Sequence, residues 1–133
     1  MDCLFCKIVN GEIPCYKIYE DEKILAFLDV NPDSDGHTLI IPKEHFTDLD
    51  DIDIETLKHI NNASKKIKKL LEKKLNCTGL SLLQNNGSAQ EVKHYHMHLK
   101  PYYKGIKTME LVKYPENIKD PKEIYEILKE TAQ

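Results

Sequence analysis

The stretch His94-Tyr95-His96-Met97-His98-Leu99 places three histidines at alternate positions of a run of polar and apolar residues. This alternation is typical of a β-strand, in which side chains at i, i+2 and i+4 point to one face. We therefore expect a strand over residues 94–99, ended by Pro101. The three imidazoles would lie on one face of it, with the apolar side chains and Tyr95 on the other.

Three imidazoles in register indicate a function, because packing alone gives no reason to stack three polar rings beside one another. Two kinds of chemistry fit the pattern. The rings can ligate a metal, or they can supply a nucleophile and its helpers for phosphoryl chemistry. The spacing alone leaves both open.

The composition is that of one globular domain. The chain has 133 residues, of which 41% are apolar and 31% are charged. With 19 basic and 22 acidic side chains the net charge is −3, which provides no basic field for a nucleic-acid partner. Every basic residue is lysine, so amides, imidazoles or lysine must bind phosphate in place of a bidentate arginine.

The chain carries no pattern of export or membrane insertion. Its N-terminus lacks the basic and apolar regions of a secretory signal, and the apolar runs over residues 24–28 and 39–41 are too short to cross a bilayer. We therefore predict a cytoplasmic protein with no membrane partner. In that compartment the four cysteines are not expected to form structural disulfides.

The remaining elements predict an α+β domain with a largely antiparallel sheet. Alternation and turn residues predict further strands over residues 16–19, 24–28, 37–41 and 80–83. Asp2 is expected to cap a short first helix that stops at Gly11, Asp53 a long amphipathic helix, and Asp120 a last short helix. Strands grouped before and after one long helix favour this fold class.

The histidine run resembles the signature of the histidine triad family, His-φ-His-φ-His-φ-φ, where φ is apolar. Further stretches resemble that family in the same order, namely Phe5-Cys6-Lys7-Ile8 with Gly11-Glu12-Ile13-Pro14, then Leu25-Ala26-Phe27-Leu28-Asp29, then Gly36-His37-Thr38-Leu39-Ile40-Ile41-Pro42-Lys43 with His45. The resemblance covers residues 2–103 and implies an antiparallel five-stranded sheet with one long helix and short terminal helices. We expect the family's domain over residues 1–108. A C-terminal extension over residues 109–133 would carry a short helix packed on the same domain.

The resemblance also implies an activity and an assembly. Members hydrolyse or transfer nucleoside monophosphates held in phosphoramidate or phosphoanhydride linkage, as homodimers without an organic cofactor. The expected partner is thus a purine nucleotide or nucleoside-phosphate conjugate. By position His96 matches the nucleophile that carries the nucleotidyl group, His98 the residue that contacts phosphate oxygens or the leaving group, and His94 the residue that orients the site. A neutral imidazole can attack phosphorus at cytosolic pH, since its ordinary pKa is about 6.5.

Further positions match the family's substrate contacts. Asp29 matches an acid that accepts hydrogen bonds from the ribose, although an Asx turn before Pro32 is an alternative reason for it. Asn85 and Gln90 match amides near the phosphates. The positions that match the nucleobase pocket are apolar and would otherwise be ordinary core: Phe5, Ile8, Phe27, Val30 and Leu39.

The chain departs from the family pattern close to the triad. The loop before Gln90 is shorter by about two residues, and Ala89 replaces a common glycine. Glu91 stands where a hydroxyl side chain is usual, and its carboxylate would repel phosphate. Lys100 replaces the last apolar position of the signature. We expect these changes to affect the leaving-group side more than the chemistry.

Cys3 and Cys6 have the spacing of a zinc-binding pair, but one such pair supplies only two of four ligands. Some members of the resembling family complete the site with two histidines, which here would be His45 and His94. Such a closed Cys₂His₂ site would be structural. The alternative is a pair of free thiols beside a helix start.

Two other functions compete with a covalent histidine mechanism. In one, the triad itself holds a catalytic zinc, although the chain has no obvious matching carboxylate ligand. In the other, the fold is kept as a non-catalytic nucleotide-binding protein. An intact triad favours an enzyme.

Overall fold

The computed structural model describes residues 3–105 and 114–129. The helices are α1 (Leu4–Val9), α2 (Ile54–Leu75) and α3 (Pro121–Leu128), and short 3₁₀ turns lie at Gly87–Ala89 and Pro115–Asn117. The strands are β1 (Lys17–Glu20), β2 (Ile24–Leu28), β3 (Thr38–Pro42), β4 (Gly79–Gln84) and β5 (Met97–Tyr102). In the described ranges no helix combines the length and apolarity needed to cross a membrane.

The five strands form one sheet in the order β1-β2-β3-β5-β4, and all neighbours are antiparallel. The predicted α+β class and five-stranded antiparallel sheet are therefore confirmed. Residues directly opposite each other in such a sheet point to the same face. The register places Phe27 opposite Leu39, Leu39 opposite His98, and His98 opposite Leu83. One row of side chains thus crosses four strands and carries His98.

The two faces of the sheet pack against different helices. Ile24, Ala26 and Ile40 belong to a buried cluster that includes Ile60 and Ile67 of α2. The alternate positions Leu25, Phe27, Leu39 and Ile41 belong to a second cluster with Cys3 and Phe5 near α1. Both faces of β2 and β3 are covered, which explains why their residues form continuous apolar runs.

The histidine run does not form the predicted strand over its whole length. Strand β5 begins only at Met97, so His94 and His96 precede it. The backbone N–H of Tyr95 donates to the carbonyl of Phe46 at 2.7 Å, which ties this segment to the chain following β3. The strand also continues through Pro101 to Tyr102. Proline is tolerated because the pairing with β3 ends at Leu99, where a backbone N–H is no longer needed on that side.

Helix caps were predicted with mixed success. Helix α1 is capped by Cys3, whose Sγ accepts the N–H of Cys6 at 3.4 Å, and the predicted cap Asp2 lies outside the described residues. Helix α2 follows Asp53, and α3 follows Asp120, whose carboxylate accepts the N–H of Lys122. The placement of the extension on the domain remains a prediction, because residues 106–113 and 130–133 lie outside the described ranges.

Gly36 lets the loop between β2 and β3 approach α2 closely. Its φ of +87° lies in the left-handed region, and a Cβ there would be 2.8 Å from Leu75 and 3.0 Å from Leu71. Only glycine satisfies both conditions without strain. The next residue, His37, immediately precedes β3.

Candidate active site

A cavity of about 530 Å³ opens on the α1 face of the sheet. Its apolar end is lined by the five residues predicted for a nucleobase pocket: Phe5, Ile8, Phe27, Val30 and Leu39. Its polar end is lined by Asp29, His37, His96 and His98, with Asn85, Glu91 and Lys100. The cavity thus joins an apolar slot to a cluster of imidazoles.

His96 is held by the backbone with a proton on its Nδ1. Its Nδ1 lies 2.8 Å from the carbonyl oxygen of His94, and the residue is only 5% exposed. A carbonyl oxygen can only accept, so Nδ1 carries the ring proton. The lone pair of Nε2 is consequently available for attack on an electrophile.

His98 is fixed through His37, which the sequence analysis did not single out. The backbone N–H of Asp33 donates to Nδ1 of His37 at 3.0 Å, so in the neutral ring the proton of His37 lies on Nε2. That Nε2–H donates to Nδ1 of His98 at 2.9 Å. His98 therefore carries its own proton on Nε2, where it can serve as a hydrogen-bond donor to a phosphoryl oxygen.

Burial favours the neutral form of His98 and of His37. The pKa of His98 is lowered to about 4, chiefly because burial disfavours the charged form, and the neighbouring His96, His37 and Lys100 act in the same direction. Burial also lowers the pKa of His37, against the opposing charge of Asp29. For His98 and His37, the neutral tautomers required by the hydrogen bonds are thus the forms favoured near pH 7.

Asp29 lies directly after β2, between the two ends of the cavity. Its Oδ1 accepts the N–H of Asn31 at 2.9 Å, which is an Asx turn, and its Oδ2 lies 3.6 Å from Nε2 of His37. The Asx turn and a position at the cavity, which were alternative interpretations of Asp29, are therefore compatible. One oxygen shapes the turn, and the carboxylate still borders the cavity.

Two amides were expected near the phosphates, and the structure brings only one of them to the cavity. Asn85 lines it, whereas the buried Gln90 does not. The Nε2 of Gln90 donates to the carbonyl of Thr47 at 2.6 Å, which anchors the loop before the histidine run. The following residue, Glu91, lines the cavity instead.

The third histidine of the run belongs to a separate cluster. His94 is fully buried, and its Nε2–H donates to the carbonyl of Pro42 at 2.8 Å. Its Nδ1 lies 3.3 Å from Sγ of Cys3 and 3.6 Å from Sγ of Cys6. The Sγ of Cys6 lies 3.3 Å from Nδ1 of His45. The four potential ligand atoms lie within 4.8 Å of one another.

These distances fit a tetrahedral metal. Zinc bonds of about 2.3 Å to sulfur and about 2.0–2.1 Å to nitrogen place the ligands about 3.5 Å apart. The Nε2–H of His94 is held by a backbone carbonyl, the usual support of a metal-binding imidazole. Burial and the adjacent Cys3 raise the pKa of the Cys6 thiol, so a cation is needed to keep two thiolates side by side.

The three histidines of the run do not converge on one metal. Among the described residues, the clusters able to hold an ion place His94 with the cysteines and His98 with Asp29 and His37, and His96 belongs to neither. His37 could have been recognised from the sequence, because it lies two positions from Leu39 in a predicted strand. Alternate positions share a face, and Leu39 was already assigned to the cavity.

Comparison with known proteins identifies the family. The model of the HIT domain matches residues 10–105. An uncharacterized HIT-like protein of Methanocaldococcus jannaschii is 45% identical over 130 residues, which are 96% of this chain and 97% of that protein. An adenosine 5'-monophosphoramidase of Schizosaccharomyces pombe is 43% identical over 103 residues, 76% and 74% of the two chains. The chain belongs to the HIT, or histidine triad, family.

Solved structures agree with this assignment. The crystal structure of a HIT family protein from Bacillus anthracis superposes with a TM-score of 0.86 at 39% identity, covering 98% of this chain and 95% of that one. A zinc-bound histidine triad family protein from Mycobacterium smegmatis has a TM-score of 0.78 at 38% identity, covering 85% and 84%. The family resemblance drawn from the motifs is therefore confirmed.

Proposed function

We propose that the protein is a nucleotide hydrolase or transferase that cleaves a nucleoside 5'-phosphoramidate or a dinucleoside polyphosphate through a nucleotidyl group on His96. The observation that carries the proposal is the 2.8 Å hydrogen bond from His96 Nδ1 to the carbonyl of His94, in a ring that lines the cavity. The monophosphoramidase activity of the yeast relative supports the substrate class.

The first step follows from the tautomers. His96 Nε2 attacks the α-phosphorus, the N–P bond forms, and the bond from phosphorus to the leaving nitrogen or oxygen breaks. The leaving nitrogen or oxygen takes a proton from solvent water, while the Nε2–H of His98 donates a hydrogen bond to the phosphoryl group. The positive charge that develops on the His96 ring is stabilised because its Nδ1–H already donates to a carbonyl oxygen.

The second step is hydrolysis of the N–P bond. Water attacks the same phosphorus and loses its proton to solvent, and the N–P bond breaks to release the nucleoside monophosphate and neutral His96. An acceptor other than water would make the reaction a transfer. Asp29 holds the ribose, the apolar end holds a purine base, and Asn85 donates toward the phosphate.

We also propose a structural zinc ion on Cys3, Cys6, His45 and His94. Its role is to fix the segment that precedes β5, because His94 is both a ligand and the residue whose carbonyl accepts from His96. The zinc-bound relative and the ligand distances support this proposal. A zinc hydrolase acting through the triad is disfavoured, since the three rings belong to different clusters.

We further propose a cytoplasmic homodimer. Within residues 3–105 and 114–129, strand β4 lies at the edge of the sheet and Leu82 on it is 49% exposed, and such an edge is suited to pairing with a second copy. Light scattering should give twice the chain mass of 15.4 kDa. Leu82→Lys should shift the protein toward monomer. A monomeric wild type at working concentration would refute the assembly.

The experiment that tests the chemistry is adduct trapping. Rapid quenching of the wild type with an α-phosphate-labelled substrate should yield an acid-labile protein adduct that maps to His96, and the His96→Ala protein should yield none. A panel of adenosine phosphoramidate and dinucleoside polyphosphates then defines the leaving group. Nucleotide binding without an adduct or turnover on any substrate would favour the non-catalytic alternative.

A further inference from the structure

An ion pair at the polar end of the cavity joins the loop after β2 to strand β5. The Nζ of Lys100 lies 2.7 Å from Oδ2 of Asp33, and the lysine side chain is only 13% exposed. Lys100 occupies a position where the histidine triad signature is apolar. A sheltered charge at such a position needs a structural or functional reason, because burying its stem and ammonium group costs free energy.

This ion pair closes a ring of contacts that returns to His98. Asp33 donates its backbone N–H to His37, and His37 donates to His98, as described for the cavity. His98 lies two positions before Lys100 in β5, so both side chains lie on one face of the strand. Each contact fixes the next, since an N–H donor facing one ring nitrogen forces the ring proton onto the other.

We propose that Lys100 is a positioning residue for His98: by holding Asp33 against β5, it keeps His37 and His98 in the single tautomers that leave the Nε2–H of His98 as donor. The catalytic consequence rests on the proposed function, whereas the tautomers can be observed without substrate. An apolar residue at position 100 would leave the carboxylate of Asp33 without this partner. The loop N–H that sets the tautomer of His37 would then lose the anchor that its own residue makes to the strand.

The surrounding contacts supply a matched control. Ser34 Oγ donates to the carbonyl of Pro101 at 2.7 Å, so it also ties the loop to β5, beside Asp33 but without touching its carboxylate. Ser34→Ala therefore removes a neighbouring tether of the same kind and spares the ion pair. The charge of Lys100 also adds to the lowered pKa of His98, after burial and the neighbouring His96 and His37.

The test is ¹⁵N NMR of the histidine rings at pH 7, without substrate, combined with turnover measurements on the full chain. The wild type and Ser34→Ala should show His98 protonated on Nε2 alone. Lys100→Met should show averaged shifts for both ring nitrogens of His98, and kcat should fall by about tenfold, part of what a positioned hydrogen-bond donor contributes. Lys100→Arg should restore the single tautomer.

Two results would overturn the proposal. One is a single, unchanged His98 tautomer in folded Lys100→Met, and the other is an equal effect of Ser34→Ala, because any tether of the loop would then serve. If Lys100→Met does not fold, Asp33→Asn removes the same charge pair and is judged by the same readouts. A wild type without turnover refutes the proposed function alone, because the NMR comparison still decides the role of Lys100.

Discussion

The two faces of the sheet use the same strands for different purposes. On one face the 22-residue helix α2 seals a cluster in which Ile24, Ile40 and Ile60 have no exposed surface. On the other face the 6-residue helix α1 covers only part of the sheet and leaves the cavity of about 530 Å³. The length of the covering helix therefore separates a face that stabilises the fold from a face that can bind a ligand.

The histidines follow the same division. His98 on the cavity face has a pKa lowered to about 4 by burial and is kept neutral. His59 on α2 donates from Nδ1 to Oδ2 of Asp21 at 2.9 Å, and this hydrogen bond raises its pKa. A neutral ring suits proton transfer and nucleophilic attack, whereas a charged ring with a carboxylate partner suits an ion pair that joins α2 to the turn before β2. The comparison predicts that substitutions on the two faces act on different quantities.

The largest effect should come from His96. His96→Ala removes the attacking nitrogen but leaves the base pocket and Asp29 untouched, so turnover should fall by at least about 10⁴-fold, since the covalent route is lost. The thermal unfolding temperature and nucleoside monophosphate binding should stay close to wild type. Steady-state kinetics and calorimetry provide the two readouts. Turnover within tenfold of wild type would contradict the mechanism.

On the cavity face of the sheet, removal of zinc should lower the stability of the protein. Metal analysis of protein purified without chelator should give about one zinc per chain, and chelation should lower the unfolding temperature by on the order of 10 °C. Cys6→Ser should lose the metal, whereas Cys15→Ser, which changes a cysteine outside the cluster, should retain it. Reconstituted wild-type protein without zinc would show that the cluster is a pair of free thiols beside two histidines.

A substitution on the sealed face should destabilise without changing the chemistry. Ile60→Ala deletes a fully buried side chain of α2 and should lower the free energy of unfolding by about 2–5 kcal/mol. Ile54→Ala on the same helix, at a residue that is 67% exposed, should change it by less than about 0.5 kcal/mol. Denaturant unfolding measures both. The protein that remains folded should keep the wild-type kcat. A lower kcat in folded Ile60→Ala would show that the α2 face also affects the chemistry.

The smallest effect concerns the pH dependence of stability. Because the folded-state pKa of His59 is raised above its ordinary value of about 6.5, the ion pair with Asp21 stabilises fully below that value and is lost as pH rises through the raised pKa. His59→Gln should therefore lower the unfolding temperature by at most a few degrees at pH 6 and have less effect at pH 9. Asp21→Asn keeps the side-chain oxygen that accepts backbone N–H groups in the turn. It should change the unfolding temperature in the same way as His59→Gln. If the variant and the wild type differed in unfolding temperature by the same amount at both pH values, the ion pair would be excluded as the cause of that difference.

The strands and the long helix were predictable because their signals are local. β2 was predicted at its observed bounds and α2 at its observed start, since both follow from the pattern of neighbouring apolar residues. The nucleobase residues were predicted through the family resemblance, and all five line the cavity. Gln90 was assigned to the phosphates by the same resemblance, but its bond to the carbonyl of Thr47 depends on a loop conformation that the motif does not determine.

By itself, the sequence determined that three histidines follow one another at alternate positions, that Cys3 and Cys6 are spaced for a metal, and that an α+β sheet surrounds them. The tertiary structure decided how the histidines are divided: His94 joins the cysteines, and His98 is aligned by His37. The physical reason is that imidazole chemistry depends on which atom faces each ring nitrogen. The carbonyl of Pro42 faces His94, and Nε2 of His37 faces His98. Each partner lies more than fifty residues away along the chain, and only the packed fold brings them together.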